Sequence, residues 1–110
     1  MKSAPLTLAI ILVAGPAAAA PKITDVDFLR ANRCRGLATT LTDVVDTGSL
    51  ESFIKAERGA RAPYVMDRAE EEFARAKKEA RSEDRKSRLT AELTGACQAY
   101  IGAASNIAKQ

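Results

Sequence analysis

The sequence predicts an all-α fold, a small helical bundle of three long helices plus a short one, held together by one disulfide between Cys34 and Cys97. Charged residues and alanines dominate the chain after its first twenty residues, a composition typical of helices. Glycine and proline are sparse there, and no stretch alternates apolar and polar residues as a half-buried strand does. Together these observations favour helices joined by short breaks.

The first nineteen residues have the order of a secretory signal peptide. The basic Lys2 precedes an apolar run that extends from Leu6 to Ala14. Ala17 and Ala19 then supply the small side chains that a signal peptidase requires. Cleavage after Ala19 predicts a single helical domain, residues 20–110, that is periplasmic or secreted.

The two cysteines predict a structural disulfide. In an oxidising compartment an even and widely spaced pair indicates a bridge between Cys34 and Cys97. The chain has no CxxC motif for redox exchange, and two thiols alone cannot complete a zinc site. We therefore expect no metal and no cofactor.

The first helix is predicted to start at Thr24 or Asp25 and to end near Asp46, with Gly48 beyond its end. One face of this helix carries the apolar residues that are expected to enter the core. These residues are Val26, Ala31, Cys34, Leu37, Ala38, Leu41, Val44 and Val45.

A shorter second helix follows, capped by Ser49 and ending at a break over Gly59 to Pro63. Its predicted core contacts are Leu50, Phe53 and Ile54.

Pro63 suits the first position of a third helix, which is predicted to run to about Glu83. The apolar face of this helix is thin because alanine contributes half of it. Its residues are Val65, Met66, Ala69, Phe73, Ala76 and Ala80.

A charged connector is predicted over residues 82–87, followed by a last helix over residues 87–108. The last helix has a regular apolar stripe made of Leu89, Leu93, Cys97, Tyr100, Ile101, Ala104 and Ile107. Cys34 and Cys97 then lie near the midpoints of two helices of similar length. A disulfide between them is expected to cross the middle of the core.

Composition argues against several classes of function. Without Lys2 the chain has 16 Lys and Arg against 14 Asp and Glu, a near balance that gives no electrostatic case for nucleic acid. No second apolar stretch of about 18 residues predicts a stable membrane anchor. The chain contains no His, the commonest acid–base group and metal ligand near neutral pH. We expect no catalytic residues and no enzyme activity.

Three features are candidates for a binding site. Asp27 and Arg30 share a helix face with Cys34, and either form a charged pocket or lie in water beyond the core. Arg30, Arg33 and Arg35 surround Cys34, and either bind a carboxylate or phosphate or remain solvated. The acidic and basic third helix presents either a recognition surface or an ordinary solvated face.

The turn from Arg58 to Tyr64 is the favoured partner-binding site, because loops carry function more often than helices do. Arg58 and Arg61 offer hydrogen-bond donors there, and Tyr64 offers an aromatic ring. The competing interpretation is an ordinary turn between helices.

The plan of a signal peptide, about 90 mature residues and one long-range disulfide resembles that of small periplasmic helical proteins of bacteria, among them acid-stress chaperones. The run from Cys97 to Gly102 resembles periplasmic immunity proteins in its Cys-to-Tyr spacing. No motif assigns the chain to a named family.

These observations predict an exported, non-catalytic protein that binds another macromolecule in the bacterial envelope, as an inhibitor, immunity protein or adaptor. The alternative is a periplasmic stress holdase, and a small enzyme is the least favoured class. The expected partner is another envelope protein, and the oligomeric state stays open.

Overall fold

The computed structural model describes residues 3 and 22–102 and confirms the predicted helical bundle. The signal peptide predicted over residues 1–19 lies outside the described residues apart from Ser3, as do Ala104 and Ile107 of the predicted last helix. Four helices form the described part of the chain, which contains no strand. They are α1 (Asp25–Thr40), α2 (Gly48–Arg58), α3 (Pro63–Ala80) and α4 (Glu83–Thr94).

Thr24, one of the two residues predicted to start α1, is its N-cap. Its hydroxyl oxygen accepts a 3.1 Å hydrogen bond from the backbone N–H of Asp27, while its own N–H donates to the Asp27 carboxylate at 3.1 Å. This reciprocal capping box satisfies two backbone donors at the start of the helix.

Helix α1 ends at Thr40, six residues before the predicted end. After the C-cap Leu41, residues 42–47 are all β-branched or aspartate, and both types are poor helix formers. Among them Asp43 adopts a φ of 65°, in the left-handed region that aspartate tolerates better than most residues. The chain therefore turns before it enters α2.

Helix α1 is the central element of the bundle, since it packs chiefly against α3 and also contacts α2 and α4. The two main helices approach closely at Gly36. A Cβ atom at this position would lie 2.5 Å from the Phe73 carbonyl oxygen and 2.8 Å from the Ala76 Cβ. Only glycine fits this contact, so residue 36 sets how near α1 and α3 lie.

The core confirms most of the predicted apolar faces, including the three contacts of α2. Val26 is the exception, because its side chain is 54% exposed while Phe28, which the α1 stripe omitted, is 1% exposed. The buried apolar residues are Phe28, Ala31, Cys34, Leu37, Ala38, Leu41, Leu50, Phe53, Ile54, Val65, Ala69, Ala76, Ala80, Leu89, Leu93 and Cys97.

The structure corrects the boundaries of the last two helices. Pro63 occupies the first turn of α3 as predicted, but α3 ends at Ala80. Ser82 is the N-cap residue of α4, and its side chain makes no capping hydrogen bond. The predicted charged connector over residues 82–87 was therefore wrong, because its acidic residues suit the first turn of a helix.

The predicted continuous helix over residues 87–108 was also wrong. Helix α4 ends at Thr94, a turn occupies residues 95–97, and helical structure resumes over residues 98–102. Gly95, with φ −104° and ψ −92°, interrupts the helix. Cys97 consequently lies in a turn and not at the midpoint of a helix.

The predicted disulfide is present and buried. Cys34 of α1 and Cys97 are joined across a Cα–Cα distance of 5.7 Å. The bridge links the central helix to the turn that follows α4. No helix within residues 22–102 is long and apolar enough to cross a membrane.

Candidate functional site

Three arginines with largely covered side chains organise the polar surface of the bundle. The exposed side-chain fractions are 24% for Arg33, 16% for Arg35 and 10% for Arg61. A guanidinium removed from water needs carboxylates or aromatic faces in its place. The partners of each arginine indicate whether it stabilises the fold or remains able to bind a ligand.

Arg33 joins three helices. Its Nε donates to Glu92 Oε2 at 2.7 Å and its Nη2 donates to Glu92 Oε1 at 3.0 Å, a two-pronged contact between α1 and α4. The same Nη2 reaches Glu79 Oε2 on α3 at 3.2 Å. The hydrogen bond to Glu92 is the main cause that raises the pKa of Arg33, with Glu79 adding to it. The positive charge of Arg33 is thus compensated by carboxylates of the protein itself.

Arg61 fastens the N-terminal end of α1 to the turn between α2 and α3. Its Nη1 donates to Asp25 at 2.8 Å, and its Nη2 donates to the Ile23 carbonyl oxygen and to Glu57, both at 2.9 Å. These hydrogen bonds, first that to Asp25 and then that to Glu57, raise the pKa of Arg61. The guanidinium also lies 5.9 Å from the Phe28 ring centroid.

The three predicted partner-binding residues therefore have different surroundings. Arg61 donates its hydrogen bonds to groups within the protein. Arg58, in contrast, is exposed at the end of α2, and Tyr64 is 68% exposed in the first turn of α3. Sequence reasoning missed Val26, the other large exposed apolar residue of the described chain. Its place on an apolar helical stripe predicted the opposite.

Val26 and Tyr64 belong to one end of the bundle. Val26 follows Asp25, and Tyr64 lies three residues after Arg61, so the 2.8 Å Asp25–Arg61 ion pair brings their backbones together. We call these two exposed side chains, Val26 and Tyr64, the apolar tip. The Arg61 side chain itself is only 10% exposed.

Arg35 has the weakest charge compensation of the three arginines. Its guanidinium lies 4.0 Å from the centroid of the Phe73 ring, a cation–π contact that positions the side chain. Its Nη2 donates to the buried Asn32 at 3.4 Å, and its Nη1 is 4.0 Å from Glu51. The Nε atom is buried without a hydrogen-bond partner.

Arg35 forms part of the wall of a cleft of about 330 Å³ between α1 and α2, here called the α1–α2 cleft. The remaining lining residues all come from α2. They are Glu51, Ser52, Ile54, Lys55 and Arg58. The cleft thus gathers three cationic side chains around a single carboxylate.

A second cleft, of about 340 Å³, lies against the disulfide. Arg30 and Tyr100 are on its lining together with both cysteines. Tyr100 donates from its hydroxyl to Asp27 at 3.3 Å, so Asp27 is held by Tyr100 and Thr24. Arg30 lines this cleft and Asp27 does not, so the structure does not bring these two residues into one charged pocket.

Comparison of the chain with protein-family models, with curated proteins and with solved structures finds no match. Within residues 22–102 no group of three or more Cys, Asp or Glu side chains is arranged to hold a metal ion. The apolar tip and the two clefts are the candidate binding sites of residues 22–102.

Proposed function

We propose that this protein is exported to the bacterial envelope, has no catalytic activity and binds one protein partner there, as an inhibitor, immunity protein or adaptor. The observation that carries the proposal is the apolar tip. Two large apolar side chains, Val26 and Tyr64, are more than half exposed, whereas the other large apolar side chains within residues 22–102 are buried or half-buried.

Tyr64 supports a binding role for the apolar tip, because tyrosine is enriched among the residues that dominate binding energy at protein interfaces. Its backbone is held in place by the Arg61 contacts with Asp25, Glu57 and the Ile23 carbonyl oxygen. A surface that is ordered before binding loses less conformational entropy on association.

Two features support export. The Cys34–Cys97 disulfide is typical of proteins that fold in an oxidising compartment. The predicted signal peptide, residues 1–19, supplies the route to such a compartment. Mass spectrometry of the protein from the periplasmic fraction should find a mature chain that begins at Ala20.

The lack of histidine supports a binding role over an enzymatic one. Without histidine, a hydroxyl nucleophile would need a carboxylate or a lysine as its base. Four carboxylates already form ion pairs with Arg33 or Arg61, namely those of Glu79, Glu92, Asp25 and Glu57. An adaptor or inhibitor needs no such groups.

The test compares capture of envelope proteins by the immobilised mature protein and by two double variants. Val26→Ser with Tyr64→Ala removes the apolar tip, and Lys78→Ala with Gln98→Ala changes two exposed residues elsewhere. We expect a single dominant partner that is lost with the first double variant and retained with the second. Equal capture by both variants would exclude the tip.

A holdase is the second candidate, favoured by the small side chains that α3 contributes to its contact with the core. Val65 is the largest residue that α3 buries, and its other buried residues are Ala69, Ala76 and Ala80. Loss of carboxylate charge in acid would leave α3 strongly basic and weaken this contact. A holdase should bind an apolar dye below about pH 4 with its disulfide intact. A protein that stays folded and binds no dye there is not one.

A further inference from the structure

The α1–α2 cleft has an excess of positive charge that the protein does not neutralise. Arg33 and Arg61 each contact two carboxylates at distances between 2.7 and 3.2 Å. Arg35 has only Glu51, at 4.0 Å, and the Glu51 side chain is 52% exposed. A buried Nε without a partner is common to Arg35 and Arg61, so the weak carboxylate contact is what distinguishes Arg35 as a covered cation with little charge compensation.

Two more cations converge on the same cleft. Ser52, Lys55 and Arg58 are spaced three residues apart on α2, so they follow one another along one helix face. All three line the cleft, and all three are exposed. The cleft volume of about 330 Å³ is many times the roughly 30 Å³ that one water occupies in the liquid, so a hydrated oxyanion fits.

We propose that the α1–α2 cleft binds a phosphate group, with Arg35 as the fixed donor and Ser52, Lys55 and Arg58 as donors at the rim. Three cations against one carboxylate leave two positive charges, which match a phosphate dianion better than a single carboxylate. The Phe73 ring and Asn32 hold the Arg35 guanidinium in position before the ligand arrives. This ligand is independent of the protein partner proposed for the apolar tip.

The direct test is a titration of the mature, disulfide-bonded protein with inorganic phosphate at constant ionic strength, followed by amide NMR shifts. Lys55→Gln with Arg58→Gln should weaken binding at least about tenfold, as expected for the loss of charge-assisted hydrogen bonds. The matched control is Lys78→Gln with Arg81→Gln, which removes the same charge from exposed positions outside the cleft. This control should change the affinity less than about twofold.

A third variant tests the sign of the effect. Glu51→Gln removes the only carboxylate of the cleft, so it should tighten phosphate binding several-fold while leaving the core unchanged. Equal weakening by the two double variants, weaker binding by Glu51→Gln, or no saturable shift in cleft residues would each overturn the proposal.

Vesicles identify the source of the phosphate. Phosphatidic acid vesicles present a lipid phosphomonoester, and pure phosphatidylcholine vesicles are the control. Binding to the former alone, competed by free phosphate and lost in Lys55→Gln with Arg58→Gln, supports the site with a lipid headgroup as its ligand. Titration by inorganic phosphate without vesicle binding supports the site with a free phosphate. Vesicle binding that survives this double substitution, with no response to inorganic phosphate, contradicts the site.

Discussion

Each covered arginine in this protein has a role that its neighbours decide. Arg33 and Arg61 meet carboxylates from other parts of the chain, whereas Arg35 lies on an aromatic ring with one distant carboxylate. The sequence predicted an anion site around Arg30, Arg33 and Arg35 as one interpretation. It did not distinguish Arg33, which has two carboxylates within 3.2 Å, from Arg35, whose one carboxylate is 4.0 Å away. That distinction depends on Glu79 and Glu92, which are far from Arg33 along the chain.

Replacing Arg33 tests its structural role. Arg33→Met leaves Glu92 and Glu79 partly covered without a partner, and should lower the free energy of unfolding by about 1–3 kcal/mol. Arg33→Lys should recover only part of this loss, because an ammonium cannot reproduce the two-pronged contact. Urea unfolding measures both variants. Arg75→Met, at a residue whose side chain is 60% exposed, is the control and should change stability by less than about 0.5 kcal/mol.

Asp27 makes the stability of α1 depend on pH. Hydrogen bonds from the backbone and side chain of Thr24, with a smaller contribution from Tyr100, lower the pKa of Asp27 from its ordinary value of 3.8. Because the pKa is lower in the folded state, the ionised carboxylate stabilises the fold above about pH 4. That contribution is lost as the pH falls through the folded-state pKa.

The measurement is the stability difference between the wild-type protein and Asp27→Asn over a range of pH. We expect Asp27→Asn to be less stable at pH 6, and the difference to shrink as the pH falls below about 4. Asp67→Asn, at an exposed residue of α3, is the matched control. A difference that stays constant down to pH 2 would show that the charge of Asp27 does not contribute.

At the scale of elements, residues with local signals were predictable and those set by tertiary contacts were not. Thr24 and Pro63 marked the starts of α1 and α3 because capping and proline geometry act within one turn. The early end of α1 follows from poor helix formers, which the apolar stripe through Val44 and Val45 concealed. The turn at Gly95 was missed for the same reason, since Leu93, Cys97 and Tyr100 continue a helical spacing across it.

The closeness of α1 and α3 depends on Gly36. Gly36→Ala places a methyl group against the Phe73 carbonyl oxygen and Ala76, and should lower the free energy of unfolding by about 1–3 kcal/mol. Gly59→Ala is the control, since an added Cβ there meets no atom within 4 Å and the φ of −67° suits alanine. It should be neutral or slightly stabilising. Equal effects of the two substitutions in thermal unfolding would refute the close-contact role.

At the scale of the whole molecule, the disulfide connects the central helix to the last part of the described chain. It closes a loop with a sequence separation of 63 residues, so its removal should lower the free energy of unfolding by about 4 kcal/mol. This is a large share of the stability of a small domain. Denaturant unfolding with and without a reducing agent measures it. A change below about 1 kcal/mol would show that packing alone holds the bundle together.

The fold class and the disulfide were predictable from the whole chain because composition and cysteine count act at that scale. The candidate site was predictable only in part. Tyr64 is exposed as a binding residue should be, but Arg61 is engaged by Asp25, Glu57 and the Ile23 carbonyl oxygen within the protein. Contacts between residues far apart in the chain leave no pattern in the local sequence. The hydrogen bonds of Arg61 and the exposure of Val26 could therefore be found only in the structure.

Site-specific photo-crosslinking in intact cells tests most directly whether the apolar tip binds one envelope protein. A photoreactive residue is placed at the apolar tip by Tyr64→p-benzoylphenylalanine, and at an exposed control position by Gln98→p-benzoylphenylalanine. We expect one dominant crosslinked envelope protein from position 64 and none from position 98. A broad set of crosslinked proteins from both positions, or no crosslink from position 64, would contradict a dedicated binding role for this protein.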